Sequence, residues 1–210
     1  MRAGEEQEVV KPTLTERRAG ELRLHVAEAA RDLFLDDDNT SATVERICEA
    51  AGIAPRTFHR HFAVKEDVVI PLLGQYGSLS LQLLRDAPIG GNVADALVTA
   101  FSGEVSKRGE FEVDRRFLAL MIADPQYRLR WLEWGQDLVP PITDFLAARF
   151  ELPHDSFVRT LPAHMFVQVC RQAYIHWADK GDSENLEATL RAGTHLLLRA
   201  LSPLAQPAGR

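Results

Sequence analysis

The sequence predicts an all-α protein in which a small N-terminal three-helix unit precedes a larger helical domain. Apolar residues recur at the three-to-four-residue spacing of amphipathic helices from about residue 16 to residue 201. Proline and glycine lie mainly between these periodic segments, where they favour turns and helix ends. No segment shows the two-residue alternation between hairpin turns that is typical of β-strands.

The composition favours a reduced, cytoplasmic globular protein that lies outside any membrane. The 210 residues suffice for one or two domains, and 46% hydrophobic with 26% charged residues is ordinary for a folded chain. No apolar run approaches the ~18–20 residues of a membrane-spanning helix, and residues 1–10 lack the apolar segment of a secretion signal. Cys48 and Cys170 are far apart and match no zinc spacing.

The N-terminal elements follow from caps and turn residues. Residues 1–15 are polar and are expected to form a mobile arm, and a first helix then extends to an acidic turn at residues 36–39. Thr43 is a suitable N-cap for a short helix over residues 44–50. Gly52 ends that helix, and Pro55 fits the first turn of a third helix that ends near His61.

The remaining chain is predicted to be helical as far as residue 201. Helices are expected over residues 66–86, 92–107, 113–123, 155–179 and 183–201. Another begins at Pro125 and is expected to be interrupted at Pro140 and Pro141, because proline breaks helix interiors. Residues 202–210, with two prolines and a glycine, are expected to be a mobile tail.

Residues 43–65 form a helix-turn-helix pattern with a locally basic charge. Gly52 can adopt the positive φ of a sharp turn between the two helices. This segment contains four basic and two acidic residues, whereas the whole chain carries a net charge of -6. Because screening limits charge effects to roughly 8–10 Å, this local excess can still attract phosphate. A small core is predicted from Val44, Ile47, Cys48, Ala51, Ile53 and Phe58.

Residues 16–67 resemble the DNA-binding domain of the TetR family of transcriptional regulators. The resemblance rests on Ala29-Ala30, Phe34, Thr43-Val44, Ile47, Ala50-Ala51-Gly52-Ile53, Thr57-Phe58, His61-Phe62 and Lys65-Glu66-Asp67. It implies that the third helix binds double-stranded DNA. The implied DNA-binding residues are Thr43, Pro55, Arg56, Thr57, His59, Arg60, His61 and Lys65.

The resemblance also implies a role for each of these residues. Arg56 and Thr57 are expected at base edges or the flanking backbone, while His59, His61 and Lys65 bind phosphate and Arg60 serves either purpose. The family usually has an aromatic residue, often Tyr, at the position of His59. The alternative for each residue is an ordinary solvated surface side chain.

Residues 68–201 are similar to the ligand-binding and dimerisation domain of such regulators, and in part to a subgroup with acyl-CoA-like ligands that includes mycofactocin-type regulators. The similar segments are RRFLALMIADPQYRLRWLEW, LAARFELPHDS and AYIHWADKG. A pocket for a small effector is therefore expected, with Arg116, Gln168 and Arg171 as polar anchors, although aromatic residues at helical spacing also form plain core. The candidate ligand-binding residues are Phe117, Met121, Trp134, Leu138, Phe166, Val169 and Tyr174.

The last helix carries an apolar stripe for which two interpretations stay open. Leu186, Leu190, Gly193 with Thr194, Leu197 and Leu201 recur at helical spacing. They could form a homodimer face, which a two-fold operator requires, or pack inside one chain. Cys48, on the inner face of its helix, is expected to be a buried small hydrophobe rather than a redox sensor.

The function expected from these features is a one-component regulator, most simply a repressor, that binds a near-palindromic operator as a dimer and is released by a small ligand. No catalytic motif, dinucleotide fingerprint or metal-ligand spacing occurs in the sequence, so neither enzyme activity nor a cofactor is expected. The competing hypothesis is an acyl-ligand carrier or enzyme whose helix-turn-helix is only a scaffold.

Overall fold

The computed structural model describes residues 13–180 and 183–201, and in this part of the chain all regular elements are helical. The α-helices are α1 (Leu14–Asp37), α2 (Val44–Ala50), α3 (Pro55–His61), α4 (Ile70–Asp86), α5 (Val93–Arg108), α6 (Phe111–Ala123), α7 (Pro125–Trp134), α8 (Val139–Ala147), α9 (Ser156–Lys180) and α10 (Ser183–Leu201). Short 3-10 helices over Lys65–Val69 and Gly135–Leu138 precede α4 and α8. The predicted all-α fold class is confirmed.

The N-terminal three-helix unit forms as the sequence predicts. Thr43 caps α2, since its Oγ1 accepts a hydrogen bond from the N–H of Arg46 at 3.3 Å. Gly52 has a φ of 64°, and Pro55 occupies the first turn of α3. Ile47 and Phe58 are fully buried between the three helices. The sharp turn and this small core together fix the direction of α3.

The double proline has the opposite effect to the one expected. Helix α7 ends at Trp134, and Pro140 and Pro141 lie in the first turn of a new helix, α8. Proline suits this position because the first-turn N–H groups have no partner within the helix. The predicted interruption at these prolines is therefore wrong, and α8 is an element that the sequence interpretation missed.

The C-terminal domain is a bundle in which α4 packs on α5, α6 on α7 and α9, and α8 on α9. Helix α1 also contacts α4 and α6, so buried residues form one continuous core through both domains. In the described residues, no helix is long and apolar enough to span a bilayer. Helix α1 begins within the predicted arm, while residues 1–12 and the predicted tail at 202–210 lie outside the described residues.

The apolar stripe of α10 packs inside the chain rather than forming a dimer face. Leu186, Leu190, Thr194 and Leu197 are buried where α10 packs on α5 and α9. Gly193 permits this packing, because a Cβ there would lie only 2.6 Å from Cγ1 of Val169. The intrachain interpretation holds for these residues, whereas the side chain of Leu201 is outside the described set.

Candidate functional site

Helix α3 has one buried face and one exposed basic face. Phe58 and Phe62 anchor it, with ring centroids 4.9 Å apart and both side chains buried. Arg56, His59 and Arg60 are exposed on the remaining surface. Because aromatic anchoring restricts rotation of a helix of only seven residues, the basic side chains are presented in a fixed direction.

The other candidate DNA-binding residues flank this face. Thr43 and Pro55 are exposed at the starts of α2 and α3, and Thr57 is half-buried. His61 is half-buried, and its Nε2 lies 3.4 Å from Nη2 of Arg60. Burial, together with the charges of Arg60 and Arg23, holds the pKa of His61 below its ordinary value. The ring is therefore neutral at pH 7 and can accept the hydrogen bond from Arg60.

Lys65 is tied to the protein rather than extended towards solvent. Its Nζ donates to the carbonyl of Thr40 at 3.2 Å and lies 5.8 Å from the centroid of the Tyr127 ring. The hydroxyl of Thr40 in turn donates to Oδ2 of Asp124, the N-cap of α7, at 2.6 Å. We call Thr40, Lys65 and Asp124 the interdomain cluster. This cluster joins both ends of the helix-turn-helix to the C-terminal domain. The sequence predicts only a phosphate contact for Lys65, so this structural role was not expected.

Ion pairs also join the domains. Nε of Arg130 on α7 lies 2.9 Å from Oδ1 of Asp67. Arg116 on α6 donates to the carbonyl of Leu35 at 3.0 Å and lies 3.3 Å from Asp38. The sequence interpretation expects Arg116 to anchor a ligand. Instead, Arg116 contacts the N-terminal domain.

An apolar cavity of about 740 Å³, including its opening, lies within the C-terminal domain. It is bounded by α4, α5, α6, α7 and α9 and by the 3-10 helix at Gly135. Five predicted ligand-binding residues line it, namely Phe117, Met121, Trp134, Leu138 and Tyr174. The remaining lining residues are Leu73, Tyr76, Ser80, Phe101, Val105, Asp114, Leu118, Trp131, Gly135, Val167, Cys170, Arg171 and Trp177.

Two predicted ligand-binding residues lie outside the lining. Phe166 is fully buried and packs edge-on against Phe101, with ring centroids 5.2 Å apart. Val169 instead faces α10 at Gly193. Helical spacing placed both near the cavity, but each belongs to a neighbouring face of α9.

Few polar groups reach the cavity wall. Arg171 donates to the side-chain oxygen of Gln168 at 3.0 Å and to the carbonyl of Leu132, and burial lowers its pKa. Gln168 itself is exposed. The hydroxyl of Tyr174 donates to the carbonyl of Phe101 at 2.6 Å. Asp114, which is not among the polar anchors expected from the sequence, is buried in the cavity wall. The arrangement suits a largely apolar ligand with few polar contacts.

Cys48, in helix α2 of the helix-turn-helix, is buried and only 2% exposed, as the sequence predicts. Burial raises the pKa of its thiol, with the nearby Glu45 adding to the effect. The thiolate, which is the reactive form, is therefore scarce at pH 7. The residue acts as a small hydrophobic side chain in the core.

Known protein families match both parts of the chain. Residues 26–71 match the family described as bacterial regulatory proteins, tetR family, and residues 91–202, more than half of the chain, match the MftR C-terminal domain. The chain is 29% identical to the HTH-type transcriptional regulator TcmR of Streptomyces glaucescens, over 84% of this chain and 81% of that protein. It is 28% identical to the HTH-type transcriptional regulator UidR of Escherichia coli, over 60% of this chain and 63% of that protein.

Solved structures share the fold at low sequence identity. FadR of Thermus thermophilus, a TetR-family repressor in complex with lauroyl-CoA, has a TM-score of 0.60 and 20% identity over 90% of this chain and 98% of that chain. The SmeT–triclosan complex has a TM-score of 0.59 and 14% identity over 86% of this chain and 91% of that chain. With its helix-turn-helix and helical C-terminal domain both matched, the chain belongs to the TetR family and is a transcriptional regulator.

Proposed function

We propose that this regulator is a repressor that binds a near-palindromic operator as a homodimer and leaves it when a small apolar molecule fills the cavity. The observation that carries the proposal is the apolar cavity, partly open to solvent, in the same chain as an exposed basic helix α3. We assign operator binding to residues 16–67, and effector binding with dimerisation to residues 68–201. Because the proposed partner is DNA, the location that we propose for the regulator is the cytoplasm.

In this proposal α3 enters the major groove of the operator. Arg56 and Thr57 contact base edges, and a bidentate Arg–guanine pair supplies about 1–3 kcal/mol of discrimination. Thr43 and Pro55 approach the backbone at helix starts, while His59 and His61 contact phosphate. Arg60, which is exposed at the end of α3, serves either purpose. In this proposal Lys65 acts through the interdomain cluster, in which its ammonium group bonds the Thr40 carbonyl.

The outer surface of α9 and α10 is the proposed dimer interface. Three large apolar side chains on these two helices are exposed, with Phe157 70% exposed, Leu196 65% and Met165 38%. A two-fold operator needs a two-fold protein, whose two α3 helices lie about 34–36 Å apart. An isologous contact through this surface provides that symmetry.

The proposed effector is an acyl-CoA-like molecule whose acyl chain enters the cavity. The cavity wall is predominantly apolar, as is typical of pockets that bind small molecules. Aromatic rings and Met121 form much of its wall, a surface that accommodates flexible apolar groups. The lauroyl-CoA bound by Thermus thermophilus FadR supplies a specific first compound to test.

The test has two steps. In vitro selection from random duplexes identifies the preferred operator, and fluorescence anisotropy then measures operator affinity with increasing lauroyl-CoA. We expect a near-palindromic sequence and a weaker affinity as lauroyl-CoA is added, with free coenzyme A as the control. Failure to enrich any sequence at low salt would exclude operator binding. Enrichment without a response to lauroyl-CoA would exclude only this effector class.

A further inference from the structure

Trp177 contributes a buried hydrogen-bond donor to the wall of the cavity. Its side chain lines the cavity, is 2% exposed and packs edge-on against Phe111 of α6, with ring centroids 4.8 Å apart. Nε1 of this ring has no hydrogen-bond acceptor among the residues that the structure describes. A buried indole N–H usually has a partner, because the free energy of an unmatched donor is unfavourable. A ligand that brings an acceptor oxygen to Trp177 therefore gains affinity.

Asp114 contributes an acceptor to the same wall. It lies on α6, one turn after Phe111, and its buried side chain lines the cavity. Phe111 packs on Trp177, and Nη1 of Arg115 donates to the carbonyl of Ala178 at 3.1 Å. These two contacts hold this part of α6 against the end of α9 that carries Trp177, so the carboxyl and the indole N–H lie in one region of the wall. A carboxyl group has several acceptor positions, ionised or not, and can accept a bond from a ligand besides its contacts within the chain.

Arg171, another donor in the wall, is held by the protein. Its guanidinium group donates to the side chain of Gln168 and to the carbonyl of Leu132. Its Nε has no acceptor among the described residues, but the backbone of Gly135 packs against it, since a Cβ there would lie 3.5 Å from that nitrogen. The region of Trp177 is therefore the part of the wall where a donor and an acceptor are both offered to a ligand.

We propose that the cavity selects effectors that carry a hydroxyl group on an apolar body, with Nε1 of Trp177 donating to the hydroxyl oxygen and Asp114 accepting the hydrogen bond from the hydroxyl. A hydroxyl group matches this pair because it both donates and accepts, whereas a plain hydrocarbon leaves both buried groups unmatched. This inference rests on the proposed function, since it specifies the chemistry of the effector that the cavity binds. The hydroxyl belongs either to a hydroxylated acyl chain or to a hydroxylated aromatic ring, and the test separates these two sources.

Two matched pairs of probes test the proposal on the full chain. Equilibrium dialysis gives dissociation constants for 12-hydroxylauroyl-CoA against lauroyl-CoA, and for 2-naphthol against 2-methylnaphthalene. We expect the hydroxylated member of at least one pair to bind about 10-fold more tightly, because its partner leaves the donor and the acceptor unmatched. The pair that shows this preference identifies the source of the hydroxyl.

Substitutions then assign the preference to the two residues. Trp177→Phe should abolish it, since this change removes the N–H and keeps an aromatic ring against Phe111. Asp114→Leu should reduce it, since this change removes the acceptor. The matched control is Trp131→Phe, which replaces another indole of the cavity wall and should leave the ratio of the two dissociation constants within about twofold of the wild type. Because the readout is a ratio, a change of cavity shape that weakens both probes of a pair does not imitate the effect.

Equal affinities within both pairs for the wild type would overturn the proposal, and this comparison needs no variant to fold. A hydroxyl preference that survives in both Trp177→Phe and Asp114→Leu, each shown by circular dichroism to be folded, would also overturn it, because another part of the cavity would then bind the hydroxyl. The dialysis contains no DNA. Failure to select an operator would therefore refute the proposed function and leave the hydroxyl preference to be decided by these measurements.

Discussion

The hydrogen bond between Thr40 and Asp124 should contribute measurably to stability. Thr40 is 7% exposed, and its hydroxyl lies 2.6 Å from the carboxylate, the length of a charge-assisted bond. Thr40→Val keeps the shape and removes the donor. Oδ1 of Asp124 keeps its bond to the N–H of Gln126 at 2.9 Å, so the cap of α7 survives. Because hydrogen bonds to charged groups contribute about 1.5–3 kcal/mol, the free energy of unfolding should fall by that amount.

The stability that Thr40→Val loses should depend on pH. Burial alone would raise the pKa of Asp124, but the Thr40 hydroxyl, backbone N–H groups and Lys65 together hold it below its ordinary value. A carboxyl whose pKa is lower in the folded protein stabilises it above the unfolded pKa, and that contribution is lost as pH falls through the folded pKa. The penalty of Thr40→Val should therefore be constant from about pH 7 to 5 and shrink below about pH 4.

A double-mutant cycle in urea measures the interaction itself. Thr40→Val, Asp124→Asn and the double variant give a coupling energy, which we expect to exceed about 1 kcal/mol at pH 7. Thr160→Val is the matched control, because its hydroxyl bonds only local carbonyls on α9, and it should change stability by less than about 0.5 kcal/mol. A coupling energy near zero at pH 7 would refute the reasoning.

Three other predictions concern DNA, dimerisation and the cavity. In competition binding, the Arg56→Ala variant should lose about 1–3 kcal/mol of discrimination at one base pair. The Lys65→Ala variant should bind all DNA sequences more weakly by the same factor, and the salt dependence of its binding should be unchanged. A Lys65→Ala salt slope lower by about one would restore its phosphate role. Phe157→Ser with Leu196→Ser should give monomers in sedimentation velocity, and dimers there would exclude the proposed interface. Tyr174→Phe removes a bond to a carbonyl of α5 and should lower unfolding free energy by about 0.5–1.5 kcal/mol in urea.

The local elements could be predicted because neighbouring residues determine them. The cap at Thr43, the positive φ of Gly52 and the first-turn position of Pro55 depend on a few adjacent residues, and all three are as expected. Pro140 and Pro141 were misinterpreted because proline both ends and begins helices. Which effect occurs depends on where the preceding helix stops, and α7 stops at Trp134.

Contacts between distant segments were outside the reach of sequence patterns. Thr40 and Asp124 are 84 positions apart, and neither belongs to a motif. The periodicity of α9 indicated that much of this helix is buried. It did not distinguish the face that packs on α10 from the face that lines the cavity. It therefore grouped Val169, which faces α10, with Tyr174, which lines the cavity. Five of the seven expected ligand-binding residues do line it, since aromatic and Met side chains at helical spacing mark buried surface well.

Release of the operator by an effector has a thermodynamic consequence for the affinity of that effector. If cavity occupancy weakens operator binding by a given factor, then operator binding must weaken effector affinity by the same factor. Titration of lauroyl-CoA into the free regulator and into its operator complex should therefore give dissociation constants that differ by the factor measured with DNA. Thr40→Val should reduce both factors together, because it breaks the contact between α7 and the helix-turn-helix while leaving the cavity wall unchanged. Unequal factors would show that lauroyl-CoA acts on the DNA itself rather than through the regulator.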